Sequence, residues 1–243
     1  MVRSAALPLL LPLALTAAVH DSVAPEMARA GTGRIVGNVE ISTSLASRRP
    51  QFRIYADARS SVAPRIPANE LTAELSNVVV FLQSDSETAP SAEPLPDTIA
   101  AMSQLGERFE PHVLPVRQGT RVDFPNYDDV YHNVFSLSRA RTFDLGRYPK
   151  GAMKSVTFNR PGVVQVFCHI HADMSGIVMV LPNAFYTAPD SAGRYVMENV
   201  PAGEYTIVGW HERTKPASYC VRVVAGRTTT IDFKLPLGVA PDS

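Results

Sequence analysis

The segment Phe167-Cys168-His169-Ile170-His171-Ala172-Asp173-Met174 gathers a thiol, two imidazoles and a thioether, in a chain with only 2 cysteines and 6 histidines among 243 residues. Soft sulfur with imidazole nitrogen is a donor set that suits copper, and zinc less selectively. The spacing Cys168-x2-His171-x2-Met174 lets three side chains converge if the segment wraps around one point. A fourth donor must then come from elsewhere, and His112 and His132 lie upstream. His132 is the better candidate, because it ends a turn and opens a strand, with Asn133 beside it to hydrogen-bond across the site. Two histidines and a cysteine in a trigonal set, with a weak axial methionine, is an arrangement copper uses for electron transfer.

Such donors need rigid supports. Val163 to Phe167 and Gly176 to Val180 read as strands on either side of the cluster, which makes the cluster a short connecting loop. Strands are also expected at Arg34–Ile41, Val78–Leu82, around Val122 and Phe124, and from His132. Val156 to Phe158 and Val163 to Phe167, separated by Arg160-Pro161-Gly162, read as a hairpin-like pair, and Arg139 to Lys154 as a polar connection. Further strands are expected at Tyr205–Trp210, Tyr219–Val223 and Thr229–Leu235. Short strands at regular spacing with turn signals, in a chain of 20 prolines, predict an all-β protein built from sandwiches. Residues 42–76 show no clear period and read as a long irregular excursion.

Lysine plus arginine (23) equals aspartate plus glutamate (23), so no global charge argues for a nucleic-acid or membrane-surface partner. Arg3 followed by the uncharged run Ala5 to Ala18, ending in small residues, reads as a signal peptide over 1–18. An uncleaved anchor is the alternative, although the run is short for a span of about 20 residues. An exported, periplasmic location is the resulting expectation. Export also admits a Cys168–Cys220 disulfide. Against it, Cys168 keeps company with two histidines, and Cys220 shares a strand face with Arg222 pointing away from a core. No nucleophile–base motif and no second copper cluster stand out, so an enzyme is not expected.

Gly119 to Asn126, His132-Asn133-Val134, Pro161-Gly162-Val163-Val164 and Cys168-x2-His171-x2-Met174-Ser175-Gly176 resemble, in order, the motifs of the cupredoxins, plastocyanin and amicyanin above all. The resemblance covers about residues 97–182. It implies a Greek-key β-sandwich holding one type 1 (blue) copper, with His132, Cys168, His171 and Met174 as ligands and His169 outside the set. Ala172 stands where that family often has proline. The flanks resemble a second family. Gly193-x-Tyr195 followed by Val200-Pro201-Ala202-Gly203-x-Tyr205 is similar to the carboxypeptidase-regulatory-like (transthyretin-like, prealbumin-like) sandwich. This implies a discontinuous unit over 32–90 and 183–237, with the cupredoxin inserted between its halves. The combination is similar to exported proteins of the plastocyanin-like or methylamine-utilisation type.

The resemblance implies a carrier of single electrons between redox partners, such as a cytochrome or an oxidoreductase. A copper carrier without redox role, or a polymer-binding sandwich with a vestigial site, are the competing expectations. His169 as a ligand of zinc with Cys168 and His171 is a further alternative, and His112 and His211 read as structural. The run Arg139, Arg141, Arg147, Lys150, Lys154 and Arg160 is either a solvated face or a docking surface for an acidic partner.

Overall fold

The computed structural model describes residues 31–41, 72, 74–83 and 99–235. The expected signal peptide and most of the irregular excursion lie outside these residues. Within them no helix is long and apolar enough to cross a membrane. The fold is all-β, as the density of branched and aromatic runs bounded by turn residues requires.

Strands between residues 99 and 181 pair only with one another. Five form one sheet in the spatial order Val113–Arg117, Ser175–Leu181, Gly162–Phe167, His132–Ser138, Arg141–Tyr148. Facing it, Met153–Thr157, Arg121–Pro125 and Ile99–Ala101 form a second sheet. Phe124, Phe158, Val134, Val164, Val166, Val178 and Val180 fill the space between, and Cys168 and Met174 close one end of this core.

A second sandwich comes from both ends of the chain. Arg194–Pro201, Thr32–Ile41 and Thr228–Thr230 make one layer, with Phe233–Leu235 also on Thr32–Ile41. Tyr186–Thr187, Val79–Gln83, Gly203–Trp210 and Ala217–Val223 make the other. Ile35, Val39, Leu82, Met197, Ile207 and Phe233 lie in its core. A third, smaller cluster joins the two bodies: Val79, Val113, Ile177, Met179 and Leu181 are buried together, with Phe81, Tyr186 and Trp210 packed on them. This explains why Ser175–Leu181 is apolar on both faces: Val178 and Val180 point into one core, and Ile177, Met179 and Leu181 into the junction.

Two local expectations fail for the same reason. Val156 to Phe158 does not form a hairpin with Val163 to Phe167. Met153–Thr157 pairs with Arg121–Pro125 in one sheet, while Gly162–Phe167 pairs with Ser175–Leu181 in the other. Arg160-Pro161-Gly162 therefore crosses between layers. Nor is Arg139 to Lys154 one polar connection, because it contains the edge strand Arg141–Tyr148, which turns Phe143, Leu145 and Tyr148 toward the core. Cys168 and Cys220 are both free thiols, with Cys220 exposed.

Asp123 links the smaller sheet across strands: its carboxylate accepts from Ser155 Oγ at 2.6 Å and from Arg121 Nε at 3.1 Å. The Ser155 bond, opposed by burial and aided by Arg121, holds its pKa below the ordinary value. A depressed folded pKa stabilises above the unfolded value of about 3.9, and that contribution is lost as pH falls through the folded value. Ser155→Ala is therefore expected to cost about 1–2 kcal/mol near neutral pH and markedly less near pH 3. Urea unfolding at the two pH values checks this, and an equal loss at both would refute the assignment.

Candidate metal centre

The donors sit where two antiparallel strands end. Phe167 pairs with Ser175, so residues 168–174 must turn back on themselves between Gly162–Phe167 and Ser175–Leu181. The turn is closed by its own backbone: Cys168 N–H donates to Met174 O at 3.2 Å, and Met174 N–H to His171 O at 3.1 Å. It is also pinned from the neighbouring strand, because His169 N–H donates to Asn133 Oδ1 at 2.7 Å. Asn133 Nδ2 in turn donates to Asp144 Oδ1 at 3.2 Å. His132 opens that same strand and is fully buried.

Three side chains converge. His132 Nδ1 and His171 Nδ1 are 3.1 Å apart, and Cys168 Sγ lies 3.9 Å from the first and 3.8 Å from the second. An ion holding imidazole nitrogen at about 2.0 Å and thiolate sulfur at about 2.3 Å in a trigonal plane needs nitrogens about 3.5 Å apart and sulfur about 3.8 Å from each. The residues present fit such an ion. Met174 is buried in the same core as Cys168. His169 is not in the convergent group. Its ring stacks on Phe135 with centroids 3.7 Å apart, which leaves the zinc alternative with His169 as ligand without support.

The histidine tautomer is set from behind. His132 Nε2 lies 2.8 Å from Asp128 Oδ2; a carboxylate accepts only, so Nε2 carries the proton and the Nδ1 lone pair faces Cys168. Gly106 and Glu107, both at positive φ, aim consecutive N–H groups at Asp128, at 2.7 and 2.9 Å. Burial pushes the Asp128 carboxyl up, but these two N–H groups and the His132 ring outweigh it and hold its pKa below the ordinary value. Asn126 Oδ1 accepts the Asp128 N–H, and Asn126 Nδ2 donates to Val130 O and Tyr148 O. Asp128 lies in the turn that His132 ends, and its role as a support is absent from the expectations drawn from sequence. The available signal was an aspartate four residues before a candidate ligand histidine. Asp128→Asn is expected to weaken metal affinity about 10–100-fold, measured by competition with a chelator. Unchanged affinity would show that His132 is oriented without it.

His171 differs from His132. Its side chain is 21 % exposed and its Nε2 lies 4.0 Å from Glu107 Oε1, beyond hydrogen-bond reach. Leu105, Tyr127, Val130, Tyr131 and Ile170, on the turns beside Glu107, Asp128, His132 and His171, are exposed.

The six cations do not share one face with this end. Arg141 pairs with Ser138 and Arg147 with Asn133, at opposite ends of the strand His132–Ser138, which spans about 20 Å. Arg160 lies by Gly162, which abuts Ala140 and so shares the far end with Arg139 and Arg141. Lys150 is paired with Asp129 at 2.7 Å, and Lys154 donates to Leu145 O and lies over the Tyr148 ring. The six therefore do not form one patch: Arg147, Lys150 and Lys154 lie toward the metal end, and Arg139, Arg141 and Arg160 toward the far end.

The two remaining histidines of interest are structural partners. His211, expected from sequence to be structural, is fully buried, with Nε2 3.1 Å from Glu74 Oε2. His112 sits at the junction of the two sandwiches.

No protein-family model and no curated protein matches the chain. Solved structures similar to part of it include the copper-containing nitrite reductase NirK from Thermus scotoductus SA-01, 28% identical over 42% of this chain and 26% of that one, TM-score 0.34. A purple cupredoxin from Nitrosopumilus maritimus is 23% identical over 35% of this chain and 100% of its own, TM-score 0.31. A reduced amicyanin variant is 24% identical over 42% of this chain and 99% of its own, TM-score 0.32. The chain thus spans about a quarter of the nitrite reductase.

Proposed function

We propose that this chain is an exported type 1 copper protein that passes single electrons between redox partners and is not itself an enzyme. The observation that carries the reading is the triangle of His132 Nδ1, His171 Nδ1 and Cys168 Sγ, with sides of 3.1, 3.8 and 3.9 Å. His132, Cys168 and His171 would hold the ion, with Met174 as a fourth donor. Copper bound there supplies a Cu(I)/Cu(II) couple. The protein supplies a frame that does not rearrange. Asp128 fixes one ring, the Asn133 side chain fixes the backbone next to Cys168, and the Cys168–Met174 backbone bond fixes the loop. Donors held so firmly favour a geometry shared by both oxidation states.

His171 is the partly exposed ligand, so electrons would enter and leave through its ring. A partner would meet the exposed apolar side chains Leu105, Tyr127, Tyr131 and Ile170, with Arg147, Lys150 and Lys154 toward the same end. On this reading residues 97–182 form a cupredoxin domain, and 32–90 with 183–237 form a carboxypeptidase-regulatory-like sandwich that carries it. The segment 1–18 would direct export to the periplasm.

Titrating the purified chain lacking residues 1–18 with Cu(II), with visible spectroscopy and voltammetry, tests the reading. One equivalent of copper, an intense thiolate-to-copper band and a reversible one-electron wave are expected. Tight binding without colour would instead favour a copper carrier, and no binding a sandwich module with a vestigial site.

A further inference from the structure

Met174 is held on two sides. On the loop side its backbone bonds Cys168 and His171. On the exit side the chain runs Ser175-Gly176-Ile177, and one residue grips both ends of that stretch. His112 O accepts the Ile177 N–H at 2.8 Å, and His112 Nδ1 lies 3.1 Å from Ser175 O. Gly176 passes so close beneath that a Cβ there would meet Phe109 Cβ at 3.0 Å and His112 O at 3.3 Å. A larger residue would lift the strand out of this grip.

His112 is itself held from the other sandwich. Its Nε2 lies 2.9 Å from Glu212 Oε1, and each side chain is 24% exposed. Burial pushes the Glu212 carboxyl up, but the His112 bond and charge and the nearby His211 outweigh it, so Glu212 is ionised at neutral pH. A carbonyl and a carboxylate both accept only. The ring must therefore donate from both nitrogens, to Ser175 and to Glu212 at once. No amide side chain can bridge two acceptors on opposite edges in this way. The junction beneath adds apolar contact on the same strand, through Ile177, Met179 and Leu181 against Val79 and Trp210.

We infer that the second sandwich is a working part of the metal centre: Glu212 holds the His112 ring, and His112 positions the Ser175–Ile177 exit of the ligand loop, and with it Met174. His112 and Glu212 are positioning residues, since neither reaches the donor triangle. The inference rests on the reading of Met174 as the axial ligand.

The test is Glu212→Gln in the otherwise intact chain, with Glu204→Gln as control, because Glu204 forms an exposed pair with Arg222 in the same sandwich. In the metal-free protein, hydrogen exchange at the Ile177 amide is expected to accelerate about tenfold or more in Glu212→Gln and not in the control. In the copper-loaded protein the thiolate band should persist, while the ratio of Cu(I) to Cu(II) affinities shifts about fivefold. That equals about 40 mV at 59 mV per tenfold. Glu212→Asp keeps the charge on a shorter arm and should fall between, which also covers a Glu212→Gln protein that does not fold. Wild-type exchange and an unchanged affinity ratio, even with a lowered melting temperature, would overturn the inference. A wild-type protein without a thiolate band would sink the copper reading alone, and the exchange measurement would still decide whether His112 grips the loop.

Discussion

Cys168→Ser is expected, on the proposed type 1 copper reading, to remove the intense visible absorption of the copper-loaded protein entirely and to weaken copper binding beyond the roughly 10–100-fold that losing a supporting residue costs. The band requires a thiolate, and Cys168 is the one thiol in the convergent group. Cys220 cannot substitute, because it lies exposed on a strand of the other sandwich. Serine keeps the size of the residue, and its backbone bond to Met174 O should survive, so the fold has no reason to fail. Copper affinity by chelator competition and the spectrum of the variant check this together. A variant that keeps the colour would mean the absorbing sulfur is elsewhere. A variant that loses the colour but retains wild-type affinity would mean that the two imidazoles dominate binding, and the trigonal assignment would be wrong.

The loop that brings Cys168 and His171 together was legible because its information is local: a short polar stretch bounded by two apolar runs reads as a connection between strands. His132 was legible for a different reason, since Asn133 beside it is useful only if another segment comes close, and His169 N–H is that segment. Asp128 was not legible as a support. In isolation an aspartate in a turn reads as a turn residue, and its second job depends on Gly106 and Glu107 arriving from a distant loop. Arg141–Tyr148 was missed because it is an edge strand, half solvated, with its alternation broken at Gly146. The supposed hairpin around Pro161 failed because sheet membership is a non-local property. Met153–Thr157 and Gly162–Phe167 are neighbours in sequence, yet each finds its partners in a different layer. The run of cations misled in the same way, since a strand of about 20 Å separates its ends.

Glu74→Ala is expected to destabilise the protein by about 3–5 kcal/mol, through charge burial rather than through the metal. Glu74 Oε2 meets His211 Nε2 at 3.1 Å and Oε1 meets Arg213 Nη1 at 3.1 Å, with side-chain exposures of 2% for Glu74, 0% for His211 and 16% for Arg213. Removing the carboxylate leaves a guanidinium that cannot lose its charge facing a cavity, beside a buried imidazole whose Nε2 has lost its acceptor while Nδ1 still accepts from Arg213 N–H. For a chain of this size the loss corresponds to a fall in melting temperature of about 6–20 °C. Replacing all three residues together, as Glu74→Met, His211→Leu and Arg213→Met, should recover most of it, because the penalty lies in the unpaired charge and not in the absence of the pair. Denaturant unfolding of the single and triple variants measures both. The metal donors belong to the other core, so the copper-loaded Glu74→Ala protein should keep its thiolate band below its lowered melting temperature. A loss under about 1 kcal/mol would place these charges in contact with water, as ordinary surface pairs are. If the band vanished while the fold persisted, the coupling through Glu212 and His112 would extend as far as Glu74.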